Sequence, residues 1–153
     1  MNSELKFRIY NKLLKKCFKV TRIDYIEKCV YYINKDTEDE DIVSFEDCIL
    51  LMPTGIYDSN RHEIFEGDII SYQENSFTYK KLAEIIYENG CFVARQILPK
   101  NVEIKAEKEN LYLDDFKDLL CMATLSINKP IRIVGNKFTY KPSRNSSKIK
   151  ITI

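Results

Sequence analysis

Residues 51–72 read LMPTGIYDSNRHEIFEGDIISY, an apolar run that passes through a polar turn and into a strand opened by Glu66-Gly67-Asp68. The segment holds the only histidine of the chain, two glycines and several acids. Tyr57, Asp58, His62, Glu63, Glu66 and Asp68 could in principle assemble a base, an acid or a metal site. A Ser-His-Asp or Cys-His arrangement would have to pass through His62, because the chain has no other histidine. His62 sits in a Ser-Asn-rich turn with no Gly-x-Ser-x-Gly motif to supply a nucleophile, so it reads as a solvated turn residue. Gly67 has a structural reading: it takes a positive φ in a tight turn, and a short acid beside it accepts backbone N–H groups. Thr54-Gly55 reads the same way, as a bend after Pro53. The stretch is architecture, a turn that fixes the register of the strand after it.

Outward from this segment the pattern is β. Leu5, Phe7 and Ile9 alternate with Lys6, Arg8 and Tyr10, the period of a half-buried strand. Asn11-Lys12 opens a turn, and Cys17-Phe18-Lys19-Val20 resumes the alternation. CVYYINKD, from Cys29, is rich in the branched and aromatic residues that suit a pleated surface. The acidic stretch 36–47, DTEDEDIVSFED, is expected to be a loop or the first turn of a short helix. Leu50–Thr54 reads as a strand ended by Pro53. EIFEGDIISYQ and LAEIIYENGCFVARQI follow as strands, with Asn89-Gly90 as a hairpin signal. NLYLDDFKDLLCMATL, residues 110–125, is the one helix candidate: Leu113, Phe116, Leu119 and Leu120 recur at helical spacing, and Asp114 and Asp115 fall in a first turn. IRIVGNKFTY and SSKIKITI close the chain as strands.

The 153 residues suit one domain, and 44% apolar content with ten tyrosines and eight phenylalanines is enough for a core. The net charge of +1 sets up no global field for nucleic acid or membrane. The charge is nevertheless unevenly spread. Residues 1–35 carry nine Lys/Arg against three acids, 36–47 carry seven acids and no base, and 137–153 carry five Lys/Arg and no acid. Such segments solvate and complement one another across a folded surface. Cys17, Cys29, Cys48, Cys91 and Cys121 are too far apart for a zinc knuckle and are expected to be buried, reduced thiols. No N-terminal apolar leader and no membrane-length apolar run is legible, so a soluble, cytoplasmic protein is expected.

LKFRIYNKLLKKCFKV, LMPTGIYDSNRHEIFEGDIISY, AEIIYENGCFVAR and IRIVGNKF, in that order over roughly residues 5–138, resemble the YopX-like proteins of bacteriophages and prophages. The central block is the specific one. Asn60-Arg61 stands where such proteins often have Asn-Gly, and the tail TYKPSRNSSKIKITI departs from their usual ending. The resemblance implies a small phage-encoded, mostly β protein that self-associates, and it supplies no biochemical function. Together these readings give a mainly β (α+β minor) fold: a small SH3-like-barrel-type domain with an N-terminal antiparallel sheet and about one helix. The chain is one YopX-like domain, 1–153, with an N-terminal β lobe at 1–50 and a barrel-like lobe at 51–153.

The functional expectation is a phage-encoded, non-catalytic accessory protein without cofactor or metal. It would sequester a small anionic, nucleotide-type host defence signal or inhibit a host protein. Arg8, Lys12, Arg22, Tyr31 and Tyr32 are the candidate ligand-binding residues. One alternative is a nucleic-acid-binding module of phage replication or regulation, against which the acidic 36–47 segment stands. A third reading, a metal-dependent nuclease or phosphodiesterase using Asp58, Glu63, Glu66 and Asp68, needs ligands from more elements than this one. Asp36, Glu38, Asp39, Glu40 and Asp41 lack the spacing of a calcium loop. A homo-oligomer is expected, with SSKIKITI and CVYYI as contact surfaces.

Overall fold

The computed structural model describes residues 6–73, 80–97, 119–121 and 130–141. Among these residues twelve strands make up almost all of the regular structure. The first five are β1 (Arg8–Asn11), β2 (Lys16–Asp24), β3 (Cys29–Ile33), β4 (Glu40–Ser44) and β5 (Cys48–Leu51). They form one antiparallel sheet in the order β4-β3-β2-β1-β5. Its hairpins are set by short polar side chains. Asn11 Oδ1 accepts from the N–H groups of Leu13 and Leu14 at 3.0 Å. Asp24 Oδ1 does the same for Ile26 and Glu27. These side chains replace the ladder bonds that the turns give up.

Only Phe45, Glu46 and Asp47, a single 3₁₀ turn, connect β4 to β5 at the two edges of this sheet. A flat five-stranded sheet separates its outer strands by roughly 19 Å, whereas Ser44 and Cys48 can lie at most about 14 Å apart. The sheet therefore curls, and the side chains of both edges meet inside the curl. Ile9, Phe18, Val30, Tyr32, Val43 and Cys48 form one buried cluster there. Asn11, itself buried, donates from Nδ2 to the Tyr32 hydroxyl at 3.3 Å.

A two-stranded unit of β6 (Pro53–Tyr57) and β7 (Glu63–Phe65) leads into the second sheet. That sheet contains β8 (Asp68–Tyr72), β9 (Lys81–Glu88), β10 (Cys91–Ile97), β11 (Leu119–Cys121) and β12 (Arg132–Asn136), in the order β11-β10-β9-β8-β12. Asn89 (φ 52°) and Gly90 (φ 82°) both adopt the left-handed region, which a two-residue hairpin between β9 and β10 requires. The second core comprises Ile64, Ile70, Tyr72, Ala83, Ile85, Ala94 and Ile131. No helix among the described residues is long and apolar enough to cross a membrane.

Several expectations need correction. Within the acidic stretch, Glu40–Ser44 is an edge strand, with Val43 turned into the core and the acids Glu40 and Asp41 on an edge that charge keeps from pairing further. Pro53 begins β6 instead of ending a strand, a first position that needs no N–H from proline. Leu119–Cys121 lies in the expected helix but pairs with Val93–Arg95 as a strand. The rest of 110–125 lies outside the described residues, as does SSKIKITI. Among the described residues neither sheet closes by hydrogen bonds into the expected SH3-like barrel.

Candidate functional site

The turn at 58–62 is built around Asp58, whose side chain is 1% exposed. Its Oδ1 accepts from the N–H groups of Asn60 and His62, each at 2.9 Å, and its Oδ2 from that of Ile133 at 3.3 Å. Burial works against the charge, but the three N–H donors outweigh it and hold the Asp58 carboxyl below its ordinary range. His62 lies over the turn with its side chain 68% exposed. Arg61, in the place of a glycine, adopts φ 63°.

Asp68 closes the next turn. Gly67 adopts φ 81°, and Asp68 Oδ2 accepts from Phe65 N–H at 2.9 Å. The turn is tied to three other segments: Glu66 N–H donates to Met52 O, Gly67 N–H to Ile85 O, and Lys137 N–H to Gly67 O. Burial pushes the Asp68 carboxyl up to about 6, against the pull of Phe65 N–H and Arg8. Arg8 Nη1 stands 3.7 Å from Asp68 Oδ2, and its guanidinium lies 3.9 Å from the centre of the Phe65 ring. Beside it Tyr10 of β1 stacks on Phe138 at 4.0 Å. Two alternate residues of one strand thus join the first sheet to the second. Cys17, pushed up to about 11 chiefly by burial with Asp68 nearby, keeps its proton and is no nucleophile at neutral pH. Among the described residues no group of three His, Cys, Asp or Glu is placed to hold a metal ion.

The five residues singled out from the sequence fall in four places. Arg8 belongs to the junction just described. Lys12 lies on the β1–β2 turn, where its Nζ donates to Glu46 O at 2.7 Å. Tyr32 is buried in the first core. Arg22 and Tyr31 are brought together: they are register partners, and the guanidinium sits 3.8 Å from the Tyr31 ring centre. Tyr31 is also the partner of Ile42 on β4, while Lys19 pairs with Ile33 two positions along. Lys19, Arg22 and Ile42 are exposed, and Tyr31 and Ile33 are half-buried.

The result is one cationic and aromatic platform on the outer face of β2–β3–β4. Lys19 and Arg22 are three apart and would lie on opposite faces of a regular strand. A register shift between Val20 and Arg22, where β2 carries one extra residue, returns both to the same face. That irregularity has no sequence signature, which is why Lys19 is not legible as a member of the site; Ile42 is hidden because the acidic stretch around it reads as a loop. Among the described residues Arg22 and Lys19 have no carboxylate partner, whereas Lys16 pairs with Asp36 at 2.9 Å.

The family profile described as YopX protein matches residues 6–138. The chain belongs to the YopX family. That match takes in both sheets, the Asp58 and Asp68 turns, and the Arg22–Tyr31 platform. Among solved structures, protein EF1440 from Enterococcus faecalis is similar at 21% identity, with a TM-score of 0.48 over 86% of this chain and 91% of that one. No curated protein matches.

Proposed function

We propose that this YopX-family protein is a non-catalytic binding protein that takes an anionic, nucleotide-type ligand on the Arg22–Tyr31 platform. The observation that carries the reading is the guanidinium lying 3.8 Å over the Tyr31 ring. A guanidinium stacked on a ring keeps its N–H edge available for a phosphate fork, and its outer face can receive a flat base. Lys19 adds a second charge for a diphosphate, and Ile33 and Ile42 give the sugar and base an apolar border.

Support for binding without turnover comes from the acids. The oxygens of Asp58 and Asp68, which a hydrolytic reading needs, accept backbone N–H groups inside turns. A ligand held and released unchanged is what a protein that sequesters a host signal requires.

Calorimetry of the full chain against mononucleotides, cyclic nucleotides and ADP-ribose-type compounds tests this. A saturable heat with at least one of them, and recovery of that compound unaltered, is the expected result. Turnover of the bound compound, or no heat across the panel, contradicts it. Binding confined to oligonucleotides, with a steep loss in salt, would assign the platform to nucleic acid instead.

A further inference from the structure

A second surface lies where the first sheet curls. Ile23, Tyr25, Val30, Phe45, Cys48 and Leu50 line an open apolar cavity of about 170 Å³. Tyr25 meets Phe45 edge to face at 6.0 Å yet remains 76% exposed, and its neighbour Ile26 is 89% exposed. The Asp24 bonds that set the β2–β3 turn hold both side chains out of the core. The two segments that form this mouth, 24–28 and 45–48, carry Asp24, Glu27, Glu46 and Asp47 against the single cation Lys28.

The β1–β2 turn has the complementary character. Leu13 and Leu14 are 69% and 49% exposed, on a turn that Asn11 holds from within the core. Residues 12–16 contain Lys12, Lys15 and Lys16 and no acid. Lys12 and Lys16 have partners within the chain, and all three still give this turn a positive field. An apolar cavity of about 150 Å³ accommodates a benzene-sized group, so the mouth has room for one leucine side chain.

Knuckle and mouth are also neighbours. Lys12 N–H donates to Asp47 O at 2.9 Å and Lys12 Nζ to Glu46 O at 2.7 Å, which sets the leucine turn beside the mouth's own rim. Two complementary patches side by side on one face are satisfied together by a two-fold axis. We infer that a second copy of this chain docks here, with the Leu13–Leu14 turn of each protomer in the acid-rimmed apolar mouth of the other.

Sedimentation velocity at tens of micromolar tests it with the full chain and two exposed-site variants, Leu14→Asp on the knuckle and Tyr25→Asp on the mouth. Thermal melts check that both variants fold. The wild type sediments as a dimer, each variant alone as a monomer, and an equimolar mixture of the two recovers dimer, because one knuckle and one mouth remain intact. A monomeric wild type, a dimer that survives Leu14→Asp, or a mixture that stays monomeric overturns the inference.

Discussion

Arg8 on β1 and Asp68 on β8 stand 3.7 Å apart at the junction of the two sheets, around a carboxyl on a residue only 4% exposed. Arg8 also covers Phe65, so the ion pair is shielded on one side by a ring. Removing an acid from water in this way raises its affinity for a proton, and Asp68 is pushed up to about 6.

The first prediction follows from that shift. An unfolded aspartate titrates near 3.9, so between roughly pH 4 and 6 the native chain holds a proton that the unfolded chain has lost. This group therefore favours folding at low pH, and its contribution is lost as pH rises through about 6. Asp68→Asn removes the effect while keeping an acceptor for Phe65 N–H. Relative to the variant, the wild type should lose roughly 2–3 kcal/mol between pH 4 and 7. Urea unfolding of both proteins across that range measures it, and parallel curves would exclude it.

Asp58 has the opposite sign, since its N–H donors hold it below the ordinary range. Its contribution is present at neutral pH and is lost as pH falls through the acid range. Asp58→Ala leaves three N–H groups without their acceptor in a buried turn, for a loss of about 2–4 kcal/mol. Asp58→Asn, which keeps one carbonyl oxygen, should cost less. A loss within measurement error for Asp58→Ala would show that the turn stands without it.

Gly67 tests the turn by another route. An added Cβ would meet Lys137 side-chain carbons at 3.6 Å, an ordinary contact, so the cost of substitution lies in the φ of 81°. Gly67→Ala should destabilise by about 1–2 kcal/mol, and Gly67→Asn by less, because asparagine tolerates the left-handed region. Thermal melts of the two variants would show them in the reverse order if side-chain crowding decided the matter.

Much of this was legible in the sequence, because it is local. The alternation through Ile9 and Phe18, the CVYYI strand, the Asn89-Gly90 hairpin and the Glu66-Gly67-Asp68 turn each depend on residues a few positions apart. The reading of His62 as a turn residue and of Asp68 as an acceptor of backbone N–H rests on the same local chemistry. The misses are of another kind. Glu40–Ser44 lies in a stretch whose acids read as a loop, yet an edge strand tolerates charge that a central strand would not. Helical spacing around Leu119 competed with pairing to Val93–Arg95, a long-range contact that no window can see. Arg8, chosen as a ligand contact, meets Asp68 sixty residues away. Arg22 and Tyr31 are legible only as two of five separate candidates; the fold pairs them, and the register shift in β2 brings Lys19 onto their face.

On the proposed reading Arg22, stacked on Tyr31, receives a nucleotide-type ligand. Calorimetry with the ligand found to bind, comparing wild type with Arg22→Lys and Arg22→Ala, tests it most directly. Lysine keeps the charge but offers neither the planar fork nor the stacked face. Both variants should therefore weaken binding about tenfold or more, some 1.4 kcal/mol, with melting temperatures unchanged. Wild-type affinity in Arg22→Ala would contradict the account.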